Sequence, residues 1–143
     1  MDYAFTYIQG KGIERESAYP YTARDGTCKF NAGQVVTKVS GLVDVPANNL
    51  QQLVNAVGKT VVSVAIDAYG IMQYSSGIFA GSCGTALNHG VAAVGYGTES
   101  GKDFWIVRNS WGTSWGEQGY FRMVREDGAG KCGINMAASY PTI

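Results

Sequence analysis

The chain has one histidine, His89. A sole imidazole excludes a multi-histidine metal site. It is also the side chain whose ordinary pKa suits it best to moving a proton near neutrality. His89 stands in Leu87-Asn88-His89-Gly90-Val91-Ala92-Ala93-Val94-Gly95-Tyr96-Gly97, at the head of an apolar run. Taken alone, such a histidine is most simply a hydrogen-bonded structural residue. A second segment, Asp103-Phe104-Trp105-Ile106-Val107-Arg108-Asn109, shifts the balance. If the two segments form an antiparallel hairpin about residues 98–101, His89 and Asn109 fall close to opposite one another, with Glu99 at their midpoint. An amide oxygen in that place accepts the ring N–H and fixes the tautomer. That is the base and orienter of a nucleophile–base–orienter triad. The run Asn109-Ser110-Trp111-Gly112-Thr113-Ser114-Trp115-Gly116 follows, with two tryptophans each ahead of a glycine. Trp111 beside the pair would exclude water and strengthen its hydrogen bond; core packing is an equal alternative for Trp111 and the preferred one for Trp115.

A nucleophile is harder to find. Gly112-Thr113-Ser114-Trp115-Gly116 matches the G-x-S-x-G elbow, but that elbow needs a strand before it, a helix after it and a downstream histidine. Here a strand pattern follows and His89 lies upstream, so Ser114 is rejected. Gly95-Tyr96-Gly97 lacks the third glycine and the following helix of a dinucleotide loop and reads as a turn. The cysteines are Cys28, Cys83 and Cys132. None opens a helix that would lower its pKa. Cys83 and Cys132, each in a glycine-flanked turn, make a candidate disulfide whose loop closure would contribute about 4 kcal/mol on the chain-entropy model. Cys28, in Asp25-Gly26-Thr27-Cys28-Lys29, is then left as an active thiol or, preferably, a half-cystine bonded outside the chain.

The elements that must position these residues follow from periodicity. Tyr3, Ala4, Tyr7 and Ile8 form a helical stripe that Gly10 and Gly12 would stop. Alone, so short a helix is not stable in water and needs a partner surface. Residues 13–34 read as loop, 34–39 as a strand. Asn48 or Asn49 caps a helix over Leu50, Leu53, Val54 and Val57, ended by Gly58. Val61–Ile66 is a β-branched run expected to be a buried strand, and 69–86 a long loop with a helical turn. Strands are expected over 87–97, 103–109 and 119–124, with turns at 99–102 and 127–130 and an apolar closing segment at 134–140. Five or so short strands after one internal helix, without strand–helix alternation, point to a mostly antiparallel, barrel-like sheet in an α+β fold.

Composition bounds the function. The 143 residues carry 11 basic and 11 acidic side chains and no net charge. That offers no positive field for a nucleic-acid backbone. No apolar run approaches the length of a membrane span. The first ten residues lack the basic, apolar and small-residue regions of a signal peptide. Twenty glycines are about twice the ordinary share and imply tight turns. The length suits one domain or a piece of one.

Leu87–Gly97 resembles the histidine segment of the papain-like cysteine proteases, and Phe104–Gly112 resembles their asparagine segment. Glu14–Tyr21, Cys28, Tyr74–Phe79, Cys83-Gly84-Thr85, Cys132-Gly133-Ile134 and Ser139-Tyr140-Pro141 continue the match in order. The likeness is nearest to plant enzymes of the actinidin and papain kind, with cathepsin L also similar. It implies a papain-like fold with the helix of residues 1–12 as the last of an incomplete left, helical domain, and 13–143 as the right, barrel-like domain. It implies that His89 is the general base and acid, that Asn109 orients it and that Trp111 shields the contact and lines the primed side of the cleft. Asn88, where many members have aspartate, is expected with Trp111 among the substrate-binding residues. Ala65, Leu87 and Ala137 would line an apolar substrate pocket. Cys83 and Cys132 would pair, and Cys28 would bond to the missing left-domain portion. The nucleophilic cysteine and the oxyanion-hole glutamine lie in family segments absent from this sequence.

The expectation is therefore a cysteine endopeptidase, or its base-bearing portion, that needs the missing N-terminal segment for activity. The chain is then an incomplete record, one chain of a cleaved enzyme, or a truncated homologue. The alternative is a catalytically inactive papain-like protein with a binding or storage role. Expected partners are a peptide or protein substrate, the N-terminal part of the same enzyme and a protein or covalent thiol-protease inhibitor. No metal, cofactor, nucleic acid or membrane is expected. A disulfide and the family resemblance imply a vacuolar, lysosomal or secreted protein.

Overall fold

The computed structural model describes residues 1–143, which divide into two compact units: Met1–Val43 with Pro141–Ile143, and Asp44–Tyr140. In the first, α1 runs Asp2–Lys11, and Gly12 ends it with a left-handed φ of 91° while its N–H donates to Ile8 O. The helix passes through Gly10, which the stripe had suggested as a stop. None of its residues is buried; Tyr7 instead meets the edge of Phe30, with centroids 6.0 Å apart. The loop expected over 13–34 is bounded by structure at both ends. Ile13–Glu14 (β1) pairs antiparallel with Val35–Thr37 (β2). A 3-10 turn at Ala32–Gln34 leads into β2, with the Asn31 carboxamide accepting from Gly33 N–H. Local polar ties hold the unit: Gln9 Nε2 donates to Ser40 O at 2.6 Å and Lys38 Nζ to Gly10 O at 3.4 Å.

Most of the sheet belongs to the second unit. The strands are β3 (Gly41–Val45), β4 (Val62–Ile66), β5 (Ile78–Phe79), β6 (His89–Glu99), β7 (Lys102–Arg108), β8 (Tyr120–Val124) and β9 (Ala138–Thr142), of which β3 and β9 include residues of both units. The order is β3-β9-β4-β6-β7-β8-β5. The β9–β4, β4–β6, β6–β7 and β7–β8 pairs are antiparallel, and β5 lies parallel to β8. The fold is α+β with a mostly antiparallel sheet, as the pattern implied. β3 carries no alternation that would announce it: Gly41 and Leu42 are half-buried, Val43 and Asp44 exposed, and Val45 buried.

Burial follows the strand period of two. Val62, Val64 and Ile66 of β4 are buried, while Ser63 and Ala65 between them are half-buried. Ala93, Trp105, Val107, Phe121 and Met123 continue that core across β6, β7 and β8. α2 (Leu50–Val57) adds Leu53, Ala56 and Val57, and Asn49 caps it by accepting from Gln52 N–H at 3.1 Å. The long loop after β4 contains a 3-10 helix at Ala68–Ile71 before β5. Gly95-Tyr96-Gly97 is not a turn: it lies inside β6. The glycine at 97 has a packing reason, because a Cβ there would sit 2.8 Å from the Phe104 ring across the ladder.

The β6–β7 hairpin forms, but not about the expected midpoint. The tip is Ser100-Gly101, both with positive φ, which suits a tight two-residue hairpin turn. The register runs from Glu99↔Lys102 to Gly95↔Ile106, then slips at a bulge to Ala93↔Val107 and Ala92↔Arg108. Two residues further along each strand from the Ala93–Val107 pair, Asn109 counts opposite Val91, one diagonal step from His89. Both share a face because of the bulge: it shifts the pairing by one residue, from odd–even partners near the tip to the odd–odd pair Ala93↔Val107, and so puts 89 on the side of 107 and 109.

Candidate active site

His89 opens β6, with Ile66 of β4 as its ladder partner. Asn109 follows the last residue of β7, and its N–H donates to Gly119 O at 2.9 Å, so the returning chain fixes its backbone. The side chains meet: His89 Nε2 lies 2.8 Å from Asn109 Oδ1. Ser110 N–H also donates to Asn109 Oδ1, at 2.8 Å. That second bond settles which end of the amide faces the ring. An oxygen already accepting from a backbone N–H can only accept from the imidazole, so Nε2 carries the proton and Nδ1 is the basic nitrogen. Asn109 is 9% exposed and its Nδ2 has no partner.

Trp111 lies over this pair. Its ring stacks on His89 with centroids 5.0 Å apart and planes 25° from parallel. Trp115 meets Trp111 edge-on at 4.9 Å and itself packs on Tyr74 and Phe121 at 5.6 and 5.7 Å. Of the two tryptophans, then, Trp111 touches the imidazole and Trp115 backs it from the core side. Ser114 is exposed in a segment without helix or strand, which removes the structural context an elbow nucleophile requires.

Asn88 donates its backbone N–H to Ile66 O at 3.0 Å. Its Oδ1 accepts from Ala68 N–H at 3.0 Å and its Nδ2 points to Asp67 Oδ1 at 3.5 Å. The side chain therefore locks the corner after β4 to the strand that begins with His89. Asp67, 5% exposed, completes the corner by accepting from Tyr69 N–H. Ala68, Tyr69, Met72, Asn88, His89 and Trp111 line one cavity of about 290 Å³. Ala68, Tyr69 and Met72 were not foreseen; they lie on an irregular segment where no periodicity marks a face. The only available signal was Asp67 ahead of a short turn, a side chain suited to capping it.

Of the three residues expected to line an apolar pocket, Ala65 and Ala137 are neighbours, with Ala65 N–H donating to Ala137 O at 3.0 Å. Leu87 lies against Gly133, where a Cβ would come within 2.7 Å of its Cδ2. All three are half-buried. Cys83 and Cys132 form a disulfide, and Cys132 O accepts from Asp67 N–H, so the bridge sits directly beneath the corner that carries the site. Cys28 is an exposed free thiol in the first unit. A larger apolar concavity of about 360 Å³ in the first unit, lined by Ala4, Tyr7, Ile8, Tyr19 and Phe30 among others, holds no histidine.

An imidazole held in one tautomer by a buried amide, covered by an indole and open to a groove has the geometry that a base and its orienter need in acyl transfer. Residues 1–142 match the family described as papain family cysteine protease, and the chain belongs to that family. It is 54% identical over 147 residues to the thiol protease SEN102 of Hemerocallis sp., covering 99% of this chain and 41% of that protein. It is 55% identical over 148 residues to the probable cysteine protease RD21B of Arabidopsis thaliana, covering 99% of this chain and 32% of that one. Among solved structures, the bromelain protease from Ananas comosus in complex with the E64 inhibitor superposes with a TM-score of 0.90 at 46% identity, covering 99% of this chain and 68% of that chain. Digestive procathepsin L 3 of Tenebrio molitor larval midgut gives 0.93 at 50% identity, covering 100% of this chain and 48% of that chain. The fold is thus papain-like. The chain spans 41% and 32% of the length of the two curated relatives.

Proposed function

We propose that this chain carries the base-bearing part of a plant-type thiol endopeptidase. The observation that carries the reading is the 2.8 Å contact of His89 Nε2 with Asn109 Oδ1 beneath the Trp111 ring. With Nε2 committed to Asn109, Nδ1 takes the proton of a cysteine thiol and pairs with the thiolate. The sulfur adds to the scissile carbonyl carbon. As the C–N bond breaks, the imidazolium returns its proton to the leaving amine, and a thioester remains. Water then attacks the thioester, His89 removes its proton, and the acid and free thiol are released.

The thiol is assigned to polypeptide beyond these 143 residues, because Cys83 and Cys132 are bonded to each other and Cys28 is proposed to bond to the same outside segment. In this reading residues 1–12 belong to the helical domain and 13–143 to the barrel-like domain. Ala65, Leu87 and Ala137 line a pocket for an apolar substrate side chain, whose burial would contribute about 1.5–3 kcal/mol. Asn88 and Trp111 border the leaving-group side. Partners are a peptide or protein substrate, the N-terminal part of the enzyme and thiol-directed inhibitors. The protein names of the relatives favour a protease over an inactive binding or storage protein. A KDEL-tailed cysteine endopeptidase among them, together with the disulfide, supports a vacuolar, lysosomal or secreted location.

The test is hydrolysis of fluorogenic peptides with an apolar residue second from the scissile bond, by the protein together with its N-terminal portion under reducing conditions. Cleavage blocked by E-64 and reduced about 10²–10⁴-fold by His89→Ala is expected. Absence of both cleavage and E-64 adduct in that preparation would overturn the reading.

A further inference from the structure

The segment 110–119 brings Trp111 and Trp115 to the imidazole, yet it contains neither helix nor strand. Gly112, Gly116, Gln118 and Gly119 in it have positive φ, between 57° and 90°. The glycines take these angles freely, so the segment's own backbone does not fix its course; only Gln118 must be held there by its surroundings. Glu117 is the one charged residue of the segment, and its carboxylate receives three N–H groups. Arg122 Nε donates to Oε2 at 2.9 Å, Arg122 Nη2 to Oε1 at 2.9 Å and Gly77 N–H to Oε1 at 2.8 Å. Tyr74 closes the ring: its hydroxyl donates to Gly77 O at 2.6 Å and accepts from Arg122 N–H at 3.2 Å.

The connection to the site is direct. Tyr74 packs on Trp115, Trp115 on Trp111 and Trp111 on His89. The same segment returns through Gly119, whose N–H donates to Trp115 O and whose carbonyl accepts from Asn109 N–H. Isolated exposed ion pairs contribute little. This one is bidentate and half-buried, with side-chain exposures of 24% for Arg122 and 29% for Glu117, the geometry in which such pairs fix position.

We propose that Glu117 and Arg122 are positioning residues for His89: their paired hydrogen bonds close segment 110–119 against residues 74–77 and so hold Trp111 flat on the imidazole and Asn109 at its Nε2. The consequence for catalysis rests on the reading of His89 as the base; the structural coupling does not.

Because His89 is the sole histidine, ¹⁵N-histidine labelling of the protein reports on one ring. The wild-type ring protons are expected upfield, from the Trp111 ring current, with the Nε2–H tautomer dominant when neutral. Glu117→Ala and Arg122→Ala are expected to abolish that upfield shift and mix the tautomers, while the methyl signals of Val62, Val64 and Ile66 stay in place. Arg122→Lys, which keeps the charge but not the fork, is expected to give part of the loss. Glu99→Ala, which removes only the exposed contact of Arg122 to Glu99, is expected to change nothing. An unaltered His89 spectrum in folded Glu117→Ala overturns the proposal, as does a shift shared equally by the three core methyl groups. If the alanine variants do not fold, Glu117→Gln and Arg122→Lys decide by the same signals, unaltered spectra in both counting against it. A stacked, single-tautomer ring in a protein that cleaves no peptide would instead defeat the peptidase reading and leave the clamp standing.

Discussion

Asn109 shows how one side chain decides the chemistry of another. Its Oδ1 is committed by Ser110 N–H, so it can only accept from His89. Removing it leaves the imidazole free to exchange tautomers and leaves Nε2–H without its acceptor. Asn109→Ala is expected to lower kcat by the value of a hydrogen bond to a charged group, about 1.5–3 kcal/mol, or roughly 10–150-fold, with KM little changed; steady-state kinetics on the enzyme with its N-terminal portion would read it. An effect confined to KM would mean that Asn109 binds substrate instead of orienting the base. Glu117 carries a separate, pH-dependent consequence. Its hydrogen bonds from Arg122 hold its carboxyl below the ordinary value of 4.5. A group with a lowered folded pKa contributes stability that is complete above its unfolded value and disappears as pH falls through the folded one. The melting temperature of wild type is therefore expected to exceed that of Glu117→Gln at pH 6, with the gap narrowing below about pH 4.5. A gap that persists unchanged to pH 3 would show that the carboxylate charge is not what the pair contributes. Tyr74 behaves in the opposite sense: burial raises its pKa, and the hydroxyl remains a donor to Gly77 O across the physiological range.

At the scale of elements, His89 opens β6 and Asn109 follows the end of the adjacent β7, and the loop after β7 completes the site. Gly116 is the residue on which that loop turns. Its φ is +58°, and a Cβ there would lie 2.5 Å from Tyr120 O and 3.2 Å from the Tyr74 ring. Gly116→Ala combines left-handed backbone strain with a clash against main chain, and is expected to destabilise by about 1–3 kcal/mol or more. Urea unfolding followed by tryptophan emission would measure it, and a loss under half a kilocalorie would mean the loop relaxes freely. The hairpin teaches a related lesson. A hairpin about Glu99 pairs His89 with Asn109, so their approach was legible, although in the observed register they share a face only because of the bulge. The register was not: the bulge near Val94 and the turn at Ser100-Gly101 moved the pairing away from the Glu99 midpoint. A bulge leaves little trace in a run as rich in small residues as Gly90–Gly97, and the same glycines misread as a turn are a strand packed under Phe104.

At the scale of the molecule, the two units are built differently. The second holds the whole apolar core, whereas in the first only Gly12 is buried. Amides of α1 are accordingly expected to exchange with solvent well before those of β4, β6 and β7 under native conditions. Equal protection in α1 and the central strands would contradict that ordering. The disulfide joins Cys83 to Cys132, 49 positions apart, and its loop contains the whole of β6, β7 and β8. Cys83→Ser with Cys132→Ser is expected to cost about 4 kcal/mol on the chain-entropy model, seen as a lower denaturant midpoint. The bridge also supports the site, since Cys132 O holds Asp67 N–H, so the double variant is expected to disturb the Asn88 corner before the β7–β8 ladder.

What the sequence determined by itself was the capped helix α2 and the buried run of β4, which rest on local period and composition, and a family whose motifs occur in order along the chain. These properties depend on a residue and its near neighbours, so they are written in one dimension. Only the tertiary structure decided the register of the hairpin, the stacking of Trp111 in place of burial, the corner of Asp67, Ala68 and Asn88, and the clamp of Glu117 on Arg122 and Gly77. Each of these joins segments distant in the chain through side chains that have no periodicity to announce them, and their geometry exists only once the sheet has closed around its core.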